Sequence, residues 1–520
     1  MPIFGPQLSR LASLTDLLLS ALESRPDETA LVSGNQIWTW RQLQRDIDAF
    51  ALGLAAMGLQ ESDRIASLMP NRGETLIFYL ACLKIGLVVV PLNYRYTLPE
   101  IDYALEVSGA VALSVSAERG EDIWASKFIS KLKKGVLSFG GVIENARRVE
   151  DLVESKGKIT DLPVADINDS AFLFFTSGST GKPKGVIHSL LSFGSIVASF
   201  AAALDLSPDD TVLPGGPIAH VGSLSTALAA FSVGATVVIP HSFDGEEILS
   251  ILRRSRPTIL VMVPALFIAM ERNPNARRED FTSLRVCFTG GDKFPANIAT
   301  EFTNKTGLMI QEGYGLTEAP DCLFNQSRSP DKAGSVGTVA PGYIVSLRDD
   351  QGREVAPEVD GNLWLRGIPV MTGYWRNPQA NREAFTDGWF DTGDVMRVDP
   401  EGCFWFRGRK KQIIVHDGSN LSPQEVEEAV MAHPSVDLAG VIGIHDDAHG
   451  ENLWAYITLK KNAPVPCVQE VIRCARERVG YKAPEVIEIL DAMPINPTGK
   501  IDRVALKKLA EAQLVQDSNS

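Results

Sequence analysis

Sulfur is scarce in this chain of 520 residues. Its 6 cysteines, Cys82, Cys287, Cys322, Cys403, Cys467 and Cys474, are scattered with no Cys-x-x-Cys and no Cys/His cluster. That spacing excludes a disulfide framework and a zinc site and points to reduced thiols in a cytoplasmic protein. Long apolar runs are also missing: none reaches the roughly 18 residues that span a bilayer. The apolar stretch Leu11–Leu22 carries Asp16 and has no basic leader, so it reads as a helix packed on the body of the protein rather than a signal peptide. Basic excess is absent too. With 50 Lys and Arg against 64 Asp and Glu, the net charge is −14, which speaks against nucleic-acid partners and against docking on an anionic bilayer. There is no internal repeat and no low-complexity stretch.

What the chain does have is alternation. Helical patterns (Trp40–Met57, Glu74–Ile85) take turns with strand-like runs (Ile65–Met69, Leu87–Leu92). The alternation returns with strand candidates at Thr236–Pro240, Ile259–Val263 and Leu284–Phe288. This predicts an α/β fold with largely parallel sheets up to about residue 333. From about 334 to 407, short runs such as Tyr343–Arg348, Gly361–Arg366 and Gly402–Arg407 between Gly, Pro and Asp turns predict a small β-barrel-like subdomain. Beyond it, Gln412–Val415, a helix from about Pro423, strands near Leu438–Ile444 and Trp454–Leu459, and helices near Val468–Val479 and Val504–Gln513 predict a compact α+β domain.

Five segments carry chemistry. The first, Thr176-Ser-Gly-Ser-Thr-Gly-Lys-Pro-Lys-Gly185, follows the strand-like Ala171–Phe175. Its glycines allow close backbone approach, successive N–H groups can cradle an anion, and Ser177, Ser179, Thr180, Lys182 and Lys184 add hydroxyls and charge. It is not a Walker loop, because Pro183 follows Lys182 where Ser or Thr is required. The others are Gln311-Glu-Gly-Tyr-Gly-Leu-Thr-Glu318 after the strand-like Leu308–Ile310, Trp389-Phe-Asp-Thr-Gly-Asp394, the run from Gly408-Arg-Lys-Lys411 to Glu427, and Pro494-Ile-Asn-Pro-Thr-Gly-Lys-Ile-Asp-Arg503. Taken singly, each admits a plainer reading as a solvated linker, a glycine turn, a hairpin or an exposed loop lysine.

Together, in this order and from about residue 25 to 505, they resemble the motifs of the adenylate-forming enzymes: acyl-CoA synthetases, firefly-type luciferases and peptide-synthetase adenylation domains. The chain is most similar to an AMP-forming acyl-CoA synthetase. The resemblance implies that residues 1–407 form a large AMP-binding domain, 408–411 a hinge and 412–520 a small mobile C-terminal domain. It implies that Thr176, Ser177, Gly178, Ser179, Thr180, Gly181 and Lys184 wrap the phosphates of ATP. Gly290, Gly291 and Asp292 would run along one adenine face, with Tyr314 on the adenine. Thr317 would touch the α-phosphate, Glu318 would hold Mg²⁺, Asp394 would take the ribose hydroxyls, and Arg409 would contact ribose or phosphates. Lys411 would be the hinge, and Lys500 would neutralise charge developing on the α-phosphate. His220 would line the acyl pocket and move between half-reactions, although a core histidine is an equal reading. Arg473, Arg476, Arg478 and Lys482 read either as CoA-phosphate contacts or as a solvated helix face.

The implied reaction is ATP-dependent adenylation of a fatty or aromatic monocarboxylic acid, followed by thioester formation with CoA. Asp417 replaces the first glycine of a common Gly-Gly pair, Lys411 the commoner hinge Asp, Asn362 a usual Glu, and Asp292-Lys293 a frequent Ala-Pro. Rival readings are loading of a carrier-protein pantetheine, a luciferase-like oxygenase and a non-catalytic scaffold. The Lys500 loop also resembles one that lysine acetyltransferases recognise, and acetylation there would remove the charge that the first half-reaction needs.

Overall fold

Local capping and apolar periodicity start the fold. The helix Trp40–Ala56 begins at a capping box in which the Thr39 side chain accepts from the Gln42 N–H and the Gln42 side chain accepts from the Thr39 N–H. Its buried Trp40, Leu43, Ile47, Phe50, Ala51 and Leu54 recur at helical spacing and form one face. The structure, a computed structural model, describes residues 2–8, 11–120, 122–152, 165–176, 183–291, 294, 296–327, 329–410, 412, 414–416, 419–446, 450–496 and 500–517. It divides into two units, one of residues 1–294, 298–345 and 365–390, the other of residues 295–297, 346–364 and 391–520. The chain is mixed α/β, with a large N-terminal domain and a small C-terminal one.

The first unit is built on two extended sheets. One runs, among the described residues, in the order Thr338–Val339, Ala319–Phe324, Ile310–Leu316, Val286–Thr289, Ile259–Met262, Thr211–Gly215, Thr236–Ile239, Thr29–Ser33 and Gln36–Thr39. Its interior pairings from Ile310–Leu316 to Thr29–Ser33 are parallel and its two ends are antiparallel hairpins. The second has the order Gly373–Tyr374, Gly185–Ser189, Ser170–Phe175, Val88–Pro91, Arg64–Leu68, Ala112–Ser116, Gly135–Phe139 and Arg147–Arg148. The helices Leu190–Ala203 and Val221–Val233 are apolar on nearly every side and mostly buried, as expected of helices enclosed within a large core. A third sheet contains Tyr343–Arg348, Gly361–Gly367 and Trp389–Val398, so the expected β-rich segment is present, and Ile3–Phe4 from the N-terminus joins it. The C-terminal part carries Val436–Asp446 antiparallel to Gly450–Leu459, with the helices Pro423–Met431 and Val468–Val479 sharing a core with this sheet.

Two expectations need correction. The N-terminal apolar stretch is helical only over Leu19–Ser24, although Leu14, Leu17, Leu18 and Ala21 are buried as a packed segment should be. Just before it, Ser13 and Thr15 hydrogen-bond Asp16, and such local side-chain bonds compete with helix formation. The segment Gln311–Leu316 was expected to emerge beyond a strand ending at Ile310, but it is the strand itself. Its glycines serve packing: a Cβ at Gly313 would lie 2.2 Å from Phe288 Cζ, and one at Gly315 would lie 2.1 Å from the Asp321 nitrogen. Among the described residues, no helix is long and apolar enough to cross a membrane.

Candidate active site

Thr317 and Glu318 occupy the turn between the antiparallel strands Ile310–Leu316 and Ala319–Phe324, whose closing pair is Leu316 and Ala319. A turn this short projects both side chains from a sheet end, where ligands of α/β proteins gather. Its backbone is held from the neighbouring sheet. His188 Nε2 lies 2.8 Å from the Thr317 carbonyl oxygen, and the Met371 N–H reaches the Glu318 carbonyl at 2.7 Å. A carbonyl only accepts, so Nε2 carries the hydrogen and Nδ1 is the atom facing Ser192 Oγ at 3.3 Å. His188 is fully buried among Phe174 and Phe193. Burial pulls its pKa down to about 4, against a smaller opposite effect of the Thr317 bond, so the imidazole is neutral at physiological pH.

The Glu318 side chain has its own support. Tyr374 Oη donates to Glu318 Oε1 at 2.8 Å, and the Lys184 ammonium lies 4.6 Å from the centre of the Tyr374 ring. Burial, then the Glu318 charge and hydrogen bond, push the Tyr374 phenol well above its usual range, so it remains a donor. Lys184 reaches this place because Thr176 and Lys184 close the hairpin between Ser170–Phe175 and Gly185–Ser189. The Thr176 N–H meets the Lys184 carbonyl at 3.0 Å, and the Lys184 N–H meets Thr176 Oγ1 at 3.2 Å. Ser177, Gly178, Ser179, Thr180 and Gly181 lie outside the described residues, as do Asp292, Lys411 and Asp417.

The remaining predicted residues are distributed as follows. Gly290 and Gly291 follow the strand Val286–Thr289. A Cβ at Gly290 would sit 3.4 Å from the Gly313 carbonyl, and Gly291 has φ +87°, a left-handed conformation suited to glycine. The turn thus packs beside the strand that bears Tyr314, a half-buried residue. His220 is the N-terminal flanking residue of the helix Val221–Val233, its carbonyl accepting from the Leu224 N–H at 3.0 Å. In the second unit, Asp394 and Arg409 pair across antiparallel strands, with Arg409 Nε 3.1 Å from the buried Asp394 Oδ1. Lys500 is partly exposed, and its backbone exchanges hydrogen bonds with Asn496, whose N–H reaches the Lys500 carbonyl at 2.8 Å and whose Oδ1 accepts from the Lys500 N–H at 3.0 Å. Asn362, one of the departures, bonds Asp350 Oδ1 at 3.2 Å, where Lys410 Nζ also arrives at 2.6 Å. Arg473, Arg476 and Arg478 are exposed on their helix, and Lys482 is tied to Glu425 at 2.8 Å.

Sequence reasoning missed His188 and Tyr374, the two side chains that hold the Thr317–Glu318 turn. Neither lies in a stretch that signals chemistry, and only the pairing of distant strands brings them there.

Two parallel-cored sheets bring Thr317, a carboxylate and an ammonium to strand ends, where ligands of α/β proteins bind, and the solved structures that this chain resembles are adenylate-forming enzymes. The chain belongs to the family of AMP-binding enzymes: the family model matches residues 19–375, and that of the AMP-binding enzyme C-terminal domain matches residues 425–500. It is 34% identical over 483 residues to a feruloyl-CoA synthase of Amycolatopsis, covering 92% of this chain and 94% of that one. It is 30% identical over 474 residues to the long-chain-fatty-acid–CoA ligase FadD13 of Mycobacterium tuberculosis, covering 90% and 92%. Among solved structures, the anthranilate CoA ligase AuaEII in complex with anthranoyl-AMP superposes with a TM-score of 0.90 at 26% identity, over 97% of this chain and 98% of that one. ATP-bound MatB from Rhodopseudomonas palustris gives 0.88 at 26% identity, over 96% and 99%.

Proposed function

We propose that the chain is an AMP-forming acid–CoA ligase acting on a fatty or aromatic monocarboxylate. The observation that carries this reading is the convergence of Lys184, Tyr374, Glu318 and Thr317 from three separate parts of the sequence at one sheet end. The relatives, a feruloyl-CoA synthase and a long-chain-fatty-acid–CoA ligase among them, support the same reaction class.

In the first half-reaction, a carboxylate oxygen of the acid attacks the α-phosphorus of ATP. The new P–O bond forms as the bond to the β-phosphate oxygen breaks, releasing pyrophosphate and leaving an acyl-adenylate. The nucleophile is already charged, so the protein need only position it and stabilise negative charge. Thr317 Oγ1 and Lys500 Nζ are assigned to the α-phosphate, Lys184 and the 176–184 loop to the β- and γ-phosphates, Asp394 and Arg409 to the ribose, and Tyr314 with Gly290, Gly291 and Asp292 to the adenine. Mg²⁺ binds through one or two carboxylates together with phosphate oxygens and water, and the Glu318 carboxylate is a donor of the right kind; bound there, the ion would offset phosphate charge. In the second half-reaction, the CoA thiol gives up its proton, its sulfur bonds to the acyl carbon, and the acyl–phosphate C–O bond breaks to release AMP. Withdrawal of Lys500 by motion about 408–411 would clear the path for the thiol, with His220 lining the acyl side. We place the reaction in the cytoplasm, in keeping with the scattered, unpaired cysteines.

The test is product balance. Purified protein given ATP, Mg²⁺, CoA and a panel of acids from acetate to palmitate, benzoate and cinnamate should form AMP, pyrophosphate and acyl-CoA in equal amounts with at least one acid. Pyrophosphate release without thioester would redirect the second half-reaction to a carrier-protein pantetheine. No acid-dependent AMP at all would overturn the reading.

A further inference from the structure

Within the same unit, the Asp321 side chain lies between the strand Ala319–Phe324 and the helix Val221–Val233, and no step above uses it. Its backbone is left-handed, with φ +50°. This conformation is uncommon outside glycine and better tolerated by Asp and Asn than by bulkier residues. The neighbouring strand makes room for it, since a Cβ at Gly315 would lie 2.1 Å from the Asp321 nitrogen. The carboxyl points to the helix, where Ser225 Oγ lies 3.4 Å from Oδ2. That hydroxyl has one hydrogen and a nearer acceptor, the Gly222 carbonyl at 2.9 Å, so it satisfies Asp321 weakly. Tyr343 also lies close, but its hydroxyl goes to the Pro320 carbonyl at 2.6 Å. Burial pushes the Asp321 carboxyl up to about 7, against a smaller lowering by Ser225. The first helical turn beside it, His220 to Ser223, is only half-buried, and a Cβ at Gly222 would meet nothing within 4 Å among the described residues. The structure therefore holds a partly exposed carboxyl with one long hydrogen bond, close to the open space at Gly222.

The position sets a length scale. Asp321 stands two residues beyond Ala319, the residue that closes the Thr317–Glu318 turn. Two residues span at most about 7 Å, so Asp321 lies close to that turn, within the reach of a short aromatic acid. An alkyl chain packed there would strip water from the carboxyl and return no hydrogen bond, whereas a hydroxyl or amino group would satisfy it.

We propose that Asp321 is the specificity-determining group of the acyl site and accepts a hydrogen bond from a hydroxyl or amino group at the far end of an aromatic carboxylic acid. The proposal rests on the ligase reading above and narrows its substrate class to donor-bearing aromatic acids. A site that hydrogen-bonds a substrate O–H or N–H rejects the analogue without it far more strongly than an apolar pocket rejects a missing methylene.

The experiment compares kcat/KM for pyrophosphate release with matched acids, 4-hydroxycinnamate against cinnamate and 4-aminobenzoate against benzoate, with octanoate as the alkyl reference. Two variants suit the left-handed backbone: Asp321→Gly, which removes the side chain, and Asp321→Asn, which keeps an acceptor without the charge. The native chain is expected to prefer the donor-bearing member of at least one pair by about 100-fold or more. Asp321→Gly should bring that ratio below about tenfold, with Asp321→Asn in between. Equal turnover of both members by the native chain, preference for octanoate, or an undiminished ratio in the variants would overturn the proposal while leaving the ligase reading intact. Should Asp321→Gly be inactive, the Asp321→Asn ratio decides in the same way. Turnover of no acid by the native chain would overturn both.

Discussion

Tyr374 and Glu318, 56 residues apart, are joined by a 2.8 Å hydrogen bond from the phenol to the carboxylate. The Lys184 ammonium sits over the ring of the same tyrosine, 4.6 Å from its centre. Tyr374 thus fixes the orientation of the proposed magnesium carboxylate and packs against a proposed phosphate lysine at once.

Tyr374→Phe keeps the ring under Lys184 and removes only the donor to Glu318. A hydrogen bond to a charged group contributes about 1.5–3 kcal/mol, so adenylation should slow by about tenfold or more. The Mg²⁺ concentration for half-maximal rate should rise with it. A titration of pyrophosphate release against Mg²⁺ checks both effects, and Glu318→Ala should be more severe than Tyr374→Phe.

Lys500→Ala should separate the two half-reactions. Adenylation should fall by at least about 100-fold, because a charge aimed at the developing phosphate charge is lost. Conversion of supplied acyl-AMP to acyl-CoA should persist. Equal loss of both, with the fold intact by circular dichroism, would contradict the role given to Lys500. Stoichiometric acetylation of Lys500 should act in the same direction as the alanine variant.

His188 should make stability depend on acid. Its pKa is about 4 in the folded chain against 6.5 ordinarily, so below pH 6.5 the unfolded chain binds the proton more readily. The contribution of the neutral, buried imidazole is complete above pH 6.5 and is lost as pH falls toward 4, by up to about 3 kcal/mol. Urea midpoints measured at pH 7.5 and 4.5 should therefore differ more in the native chain than in His188→Asn.

Arg285 pairs with the buried Asp210 through both carboxylate oxygens, at 2.9 and 2.8 Å, between strand ends of the large sheet. Arg285→Met would leave that carboxylate with hydrogen bonds only from Thr258 and Ser207. The loss should be about 2 kcal/mol, below that of a fully buried pair because water reaches the guanidinium. A denaturation curve gives the number, and ligase activity at low temperature should persist.

Much of this fold is legible in the sequence where local chemistry decides. The Thr39–Gln42 capping box, the apolar face of Trp40–Ala56 and the amphipathic helix Val468–Val479 are set by neighbours in the chain. The strand Ile310–Leu316 was misread because Gly313 and Gly315 resemble turn residues, whereas Phe288 and Asp321 pack where their side chains would be. His188, Tyr374 and Asp321 were illegible for a related reason. Their partners, Thr317, Glu318 and Ser225, lie 129, 56 and 96 residues away, and no local pattern encodes such a meeting. The motif residues themselves stood out because glycine, hydroxyl and charge are concentrated there at the expense of apolar packing.

The most direct test of the central claim is acid-dependent exchange of labelled pyrophosphate into ATP with CoA left out. An acid that supports thioester formation should also drive exchange, because the adenylate forms before the thiol is needed. Thioester formation from that acid with no exchange in the absence of CoA would contradict the account.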